Sequence, residues 1–310
     1  MTKKILITGA TGFVGSRLVS ALEASSKQCV ILSRNTENAK SKLSKAIDID
    51  KHEFIEWDGK TSLIDKWPED VEAAINLVGE NISNKRWSEK QKEKIEKSRT
   101  QATDALVEAI NHRGNECKTL ISASAIGIYP ANKENTLDEN SGPGEGFLSE
   151  VCQKWEASAK KVKPETRLVI GRIGVVLGQE GGALAKLLPI FKLGLGGPVG
   201  KGQQVMSWIH VDDLVSAIIF SLENDQIKGE YNWVAPKPVS NKVFSKALAK
   251  SLGRPAIFPA PAFGLKLAMG EMSSIVLDSQ NISSQKLQKS GHDFKFPDID
   301  SAMKNIAQSA

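Results

Sequence analysis

Few folds accommodate the run Ile5-Leu-Ile-Thr-Gly9-Ala-Thr-Gly12-Phe-Val-Gly15. An apolar, strand-forming segment gives way at once to Gly-x-x-Gly-x-x-Gly, and a helical pattern over Val14–Ala24 follows. The first glycine permits a tight turn, the second lets backbone approach a pyrophosphate, and the third lets helix pack on strand. The helix start then presents unpaired N–H groups and partial positive charge to an anion. A bare glycine triad also suits an ordinary turn. One that ends a strand and opens a helix points to dinucleotide binding, with Gly9, Thr11, Gly12, Phe13, Val14 and Gly15 as the expected contacts.

The first half of the chain repeats this alternation. Strands are predicted at Lys4–Thr8, Cys29–Arg34, Glu53–Asp58, Ala73–Val78, Leu120–Ser124 and Arg167–Gly171, with helices such as Glu89–Asn111 between them. Ser88-Glu-Lys-Gln91 reads as a capping box, and Trp87, Ile95, Ala102, Leu106 and Ile110 share one helix face. The pattern predicts an α/β fold. It is a Rossmann-type doubly wound parallel sheet, in the order 3-2-1-4-5-6 extended by one strand, with a small mixed α/β C-terminal lobe. Beyond residue 178 the texture changes: Gly178–Gly202 carries eight glycines and two prolines around an apolar helical stretch, Ala183–Leu193. Helices at Asp212–Leu222 and Asn241–Leu252, a strand at Tyr231–Val234 and a proline-punctuated linker, Pro255–Pro261, follow. The expected division is a dinucleotide-binding domain over 1–178, its sheet completed by elements near 203–235, and a substrate lobe from 179–202 and 236–310.

The second strand bears on which dinucleotide is bound. An NAD site would place Asp or Glu about twenty residues beyond the glycines, whereas this strand ends Ser33-Arg34-Asn35. A guanidinium there pairs with a 2′-phosphate, and Ser33 can donate to it. Asp58 ends the third strand, placed either to accept from an adenine amino group or simply to shape a turn. Asn76-Leu77-Val78-Gly79 ends the fourth, and Arg99 lies late in the helix from Ser88, within reach of phosphates or merely one of its surface cations. Ser122, ending the fifth strand, completes the expected cofactor contacts.

These strings, with Arg86-Trp87, Arg172-Ile-Gly-Val-Val-Leu-Gly178, Gly194-Leu-Gly-Gly-Pro198, Trp208-Ile-His-Val-Asp-Asp213 and Arg254-Pro255, run the length of the chain. In them it resembles the extended short-chain dehydrogenase/reductase superfamily, and more narrowly the atypical YfcH-like "epimerase family" group. The resemblance implies a Rossmann domain, NADP(H), a small C-terminal domain of unknown function, and cofactor contacts at Ser33, Arg34, Leu77, Val78, Arg99 and Val176. It further implies an oxidoreductase or nucleotide-sugar epimerase-like enzyme or, alternatively, an NADPH-binding regulator without turnover, for example in cell division.

Enzymes of that superfamily use Ser/Thr, Tyr and Lys: the lysine and cofactor lower the tyrosine pKa, and the hydroxyl orients the substrate. Ser122-Ala-Ser124-Ala-Ile-Gly-Ile-Tyr129 resembles the hydroxyl element, with Ser124 the better match. The Tyr-x-x-x-Lys pair is missing. Anchoring the usual downstream glutamate on Glu156 places Leu148 at the tyrosine position and Cys152 at the lysine position. Glu80, Tyr129, Cys152 and His210 are left as acid–base candidates, with the Gly194–Gly202 loop and Trp208 expected to shape the pocket.

Composition sets the remaining limits. At 310 residues, 40% hydrophobic and 25% charged, the chain is neither disordered nor fibrous. No apolar run approaches a membrane span, and the one after Met1 is too short for a secretory signal, so no membrane partner is expected. A net charge of +5, with Lys and Glu interspersed, suits anionic ligands without arguing for nucleic acid. Cys29, Cys117 and Cys152 form no zinc set or disulfide framework, so no metal and a reducing cytoplasm are expected. The expected partner is a small-molecule substrate, with a nucleotide sugar as the candidate class, bound by a monomer or homodimer.

Overall fold

The computed structural model describes residues 3–308. β1 (Lys4–Thr8) is buried on both faces, with Ile5 and Ile7 in one apolar cluster and Leu6 in another. Such double burial marks a parallel strand with helices on either side. α1 (Phe13–Ala24) returns the chain to β2 (Gln28–Ser33), and α2 (Thr36–Leu43), capped by Asn35, leads to β3 (Glu53–Glu56). β4 (Val71–Asn76), α3 (Glu89–Arg113) and β5 (Thr119–Ala125) follow, then β6 (Asn132–Leu137), α4 (Phe147–Ala159) and β7 (Arg167–Ile173).

The Ser88 hydroxyl caps α3, accepting from the Gln91 N–H, but the Gln91 side chain does not close the box. It turns to Glu80 instead, 3.4 Å away. After β7 come β8 (Val175–Gly178), β9 (Gly181–Gly182), α5 (Leu184–Lys192), β10 (Val205–Met206), β11 (Trp208–His210), α6 (Val211–Glu223) and β12 (Gly229–Trp233).

The main sheet runs β3-β2-β1-β4-β5-β7-β12, parallel throughout. This is the expected doubly wound order with one added strand. α1 and α6 bury Leu18, Leu22, Leu214 and Ile218 on one face. α3 buries Ala102, Leu106 and Ile110 on the other. The chain ends through β13 (Val239–Ser240), α7 (Asn241–Ser251), α8 (Ala262–Met269), α9 (Ser274–Leu277), β14 (Gln280–Ile282), α10 (Gln285–Lys289) and α11 (Ile299–Gln308). Two small sheets, β10-β13 and β6-β14, knit this part to the rest, and a third, β9-β8-β11, forms before it.

Trp208 is not a pocket residue. It is fully buried in a core with Phe191, Phe244, Leu248 and Met303, its indole N–H donating to the Lys237 carbonyl. The Gly194–Gly202 loop is likewise tied to the proline linker, through Gly200 N–H to Ala260 O at 2.8 Å and Ala260 N–H to Pro198 O at 2.9 Å.

The glycine turn owes its shape to close backbone contact. Gly9 has φ +72°, and a Cβ there would sit 2.7 Å from the Leu77 carbonyl oxygen; one on Gly15 would sit 2.3 Å from the Gly9 oxygen. Gly15→Ala therefore forces the helix start off the strand and should cost about 1–3 kcal/mol of stability. Chemical denaturation measures it, and an unchanged midpoint would show that the turn yields without strain.

Candidate functional site

β1 and β4 end side by side, and the first turn of α1 opens above them. Its N-cap, Gly12, supplies no side-chain acceptor and no acidic residue follows in the first turn, whereas side chains cap α2, α3, α6 and α7. The N–H groups of this turn are left for an anion. Arg34 stands exposed at the end of β2, near enough to Glu80 to draw its carboxyl down. Arg99 comes from α3, and its guanidinium lies against Gly79, where a Cβ would approach its Cζ to 2.9 Å. It lies 5.1 Å from the Trp155 ring and donates through Nη1 to the Ile95 carbonyl at 2.9 Å. Burial lowers the Arg99 pKa, against the opposing pull of Cys152 and Glu80, yet a guanidinium stays charged at any working pH. An uncapped helix start flanked by two cations fits a phosphorylated dinucleotide.

The other expected contacts divide. Leu77, Val78 and Gly79 follow β4 beside the turn, Leu77 N–H donating to Thr8 O. The Phe13 ring packs over Gly178, Gly181 and Gly182, and the Val176 carbonyl abuts Gly182 across the same hairpin. Ser33 and Asn35 close a local turn, the hydroxyl donating to the Asn35 carbonyl at 3.0 Å. Asp58 shapes a turn, its Oδ1 accepting from Lys60 N–H, Thr61 N–H and the Thr61 hydroxyl. Its pKa falls below the usual range because the Thr61 backbone bond outweighs slight desolvation. Ser122 is sealed beneath the sheet's end with Thr8, Asn76 and Thr103, so its side chain faces protein rather than ligand.

Where the superfamily's hydroxyl stands, Ser124 is buried and donates to Glu156 Oε1 at 2.8 Å. Glu156 in turn accepts a fork from Arg172, Nε at 2.8 Å and Nη2 at 2.9 Å, with side-chain exposures of 4% and 8%. Arg172 Nη1 donates to the Tyr129 hydroxyl at 2.8 Å, and that hydroxyl donates to Asn232 Oδ1 at 2.7 Å. The Asn232 N–H meets the Glu139 carboxylate at 2.7 Å. Leu148 packs on Gly127 at the tyrosine position, with the Cys152 sulfur beside it. Burial pushes the Cys152 thiol up to about 11, against the pull of Arg99. Ile82, Trp87, Phe147, Leu148, Val151 and Met272 make the neighbouring wall apolar.

The family described as NAD dependent epimerase/dehydratase matches residues 5–233, and a domain of unknown function, DUF1731, matches residues 260–306. The chain belongs to the NAD-dependent epimerase/dehydratase family. It is similar to the human epimerase family protein SDR39U1 (isoform 2), crystallised with NADPH. The TM-score is 0.89 at 32% identity, covering 99% of this chain and 100% of that one. An Arabidopsis thaliana protein, "Epimerase family protein SDR39U1 homolog, chloroplastic", is 38% identical over 309 residues, 98% of this chain and 86% of its own. Epimerase family protein SA0724 of Staphylococcus aureus (strain N315) is 36% identical over 307 residues, 98% and 99% of the two chains. UDP-glucuronic acid 4-epimerase from Bacillus cereus, at 17% identity and TM-score 0.79 over 98% and 97% of the two chains, shares the fold.

Against that family pattern, two of the expected acid–base groups hold structure instead. Tyr129 is enclosed between Arg172 and Asn232, and burial, outweighing the Arg172 hydrogen bond, pushes its phenol up to about 12. His210 caps α6, its Nδ1 accepting from Asp212 N–H, and it stacks on Phe296 at 4.0 Å. Ser124 keeps its place at the end of β5 but has its proton committed to Glu156. Glu80 is desolvated, yet Lys94 at 3.0 Å and Gln91 hold it ionised below the usual range. Trp155 under Arg99, and the Glu156–Arg172 pair, are the site residues that sequence reasoning did not assign. Glu156 served there only as an alignment anchor, and its partner comes from another element.

Tyr129→Phe should lower stability by about 1–3 kcal/mol, because Asn232 and Arg172 each lose a partner, while dinucleotide affinity stays unchanged. Calorimetry and a binding titration read the two effects separately. The buried imidazoles set a pH limit. His52 and His210 accept backbone N–H bonds at Nδ1, and His292 packs between Phe220 and Phe294; burial, the largest cause, lowers all three pKa values. Each is favoured neutral in the folded state, so their contribution is complete above about pH 6.5 and is lost as pH falls through the lower folded values. The melting temperature should fall from pH 7 toward pH 5, and His292→Phe should flatten that slope.

Proposed function

We propose that the chain binds NADP(H) and acts as an oxidoreductase or epimerase-like enzyme on a small substrate. The uncapped α1 start between Arg34 and Arg99 carries this reading. Arg34 would meet the 2′-phosphate, the turn Gly9–Gly15 with Arg99 the pyrophosphate, and Leu77, Val78 and Gly79 the nicotinamide end, flanked by Val176. NADPH in the human relative's crystal supports the same cofactor. When bound, the cofactor supplies hydride. The chain's residues orient it, exclude water through the apolar wall at Phe147, Leu148 and Val151, and provide no phenol–lysine relay for a proton. UDP-sugars, which fold relatives hold alongside NAD, are the first class to test. Buried, unpaired thiols at Cys29, Cys117 and Cys152 suit a reducing compartment such as the cytoplasm.

One specific observation favours a second reading, an NADPH-binding regulator without turnover: Leu148 and Cys152 stand at the relay positions and Ser124 is pinned to Glu156. Arg34→Asp should weaken NADPH binding about tenfold or more, the loss of a charge-assisted bond, and leave NADH binding nearly unchanged. Fluorescence titration reads both constants, and equal loss for the two cofactors would overturn the assignment. A substrate panel followed by NADPH absorbance, with Ser124→Ala alongside, separates enzyme from regulator. No turnover on any class, together with partner capture that requires NADPH, selects the regulator.

A further inference from the structure

The net charge of this chain is small, but its distribution is not. Residues 181–211 and 231–270 contain nine Lys and Arg and no Asp or Glu, which leaves 32 cations against 36 carboxylates elsewhere. The same two stretches contain every exposed large apolar side chain of the described residues, among them Leu193 at 74%, Phe263 at 77% and Leu267 at 78%. Exposure this high belongs to side chains standing off a surface rather than lining a cleft.

The stretches form one face. Phe258 N–H donates to Gly196 O, Gly200 N–H to Ala260 O, and Lys242 N–H, at the start of α7, to Gly202 O. Exposed Lys192, Lys201, Arg254 and Lys266 are interleaved with the apolar residues. Carboxylates at its border include Glu271, ion-paired to Lys92 at 2.6 Å, Asp278, which feels the charge of Lys266, and Asp300, which shares a surface hollow with Lys250.

Soluble proteins seldom leave a contiguous apolar patch uncovered without a use for it. A nucleic acid would take a few apolar wedges or stacked aromatic rings within a cationic groove, whereas the side chains exposed here are a spread of Ile, Leu, Val and Phe. Apolar side chains set among lysines and arginines, with no carboxylate, match the boundary of an anionic bilayer, where acyl chains and headgroup charge lie a few ångströms apart. We propose that this face docks on an anionic lipid bilayer surface, with Leu193, Phe263 and Leu267 entering the headgroup boundary and Lys192, Arg254 and Lys266 meeting lipid phosphates. No spanning element is involved, since no described helix is long and apolar enough to cross a membrane.

The test uses the full chain and two kinds of vesicle, phosphatidylcholine alone and phosphatidylcholine with about one-third phosphatidylglycerol, read by sedimentation. The protein should pellet with the anionic vesicles and far less with the neutral ones, and salt should release it. Phe263→Ser with Leu267→Ser should weaken binding about tenfold or more. Lys192→Glu with Lys266→Glu should do at least the same, since each cation near the surface contributes about fivefold. Both double variants should bind NADPH as the parent does, which shows that they are folded and does not depend on turnover. Failure to bind either vesicle, equal binding to both, or binding unchanged in the variants would overturn the proposal. So would light scattering in which Phe263→Ser with Leu267→Ser turns a dimer into a monomer without any vesicle binding, because the face would then join copies of the chain.

Discussion

Glu156 and Arg172 meet almost wholly out of water, and much of the site's chemistry follows from that pair. Two charges taken from water need excellent geometry and further hydrogen bonds to recover the desolvation cost. Here the fork is bidentate, and the remaining capacity is taken up by Ser124 on one side and Tyr129 on the other. The chain of bonds continues to Asn232 on β12 and thence to the Ser283 carbonyl beyond β14, so one ionic contact ties α4, β5, β7 and the C-terminal part together. Hydroxyls that would face a substrate in a dehydrogenase are drawn into holding the framework.

The consequence is a site rich in fixed positive charge and spare in proton chemistry. Its cations, Arg34 and Arg99, stand beside an uncapped helix start. Its thiol and phenol are pushed up by burial to about 11 and 12, well above neutral pH. Leu148 and its apolar neighbours complete the wall where a family enzyme has its tyrosine. Burial and charge thus act in opposite senses on the two parts of one cleft. Desolvation silences Cys152 and Tyr129 but leaves guanidinium groups charged, because their pKa values lie too high for it to matter.

Contacts such as Lys92–Glu271 and Lys186 on the Ser83 carbonyl tie α3 and the loop before it to the later part of the chain, whose stretches 181–211 and 231–270 carry no carboxylate of their own. Contacts and stretches answer to different physics. The contacts are single ion pairs and a small apolar cluster; the stretches form a field of like charge whose effect depends on what approaches it. A total of +5 conceals this, since the remainder of the chain is net acidic.

The sequence by itself determined the sheet, the order of its strands and the opening turn, because glycine spacing and alternating periodicity are local properties. The predicted strands lie within a residue or two of those observed, as with Glu53–Asp58 against Glu53–Glu56, since strand ends follow from pairing with neighbours. The empty relay was also legible, as two tyrosines and their neighbours can simply be read off. Only the tertiary structure decided that Tyr129, Ser122, Trp208 and His210 serve the framework, because burial and hydrogen-bond partners come from segments far apart in the chain. Arg172 shows the reason most directly: its role depends on Glu156 sixteen residues away on another element, a juxtaposition created by packing helix on sheet and absent from any local pattern.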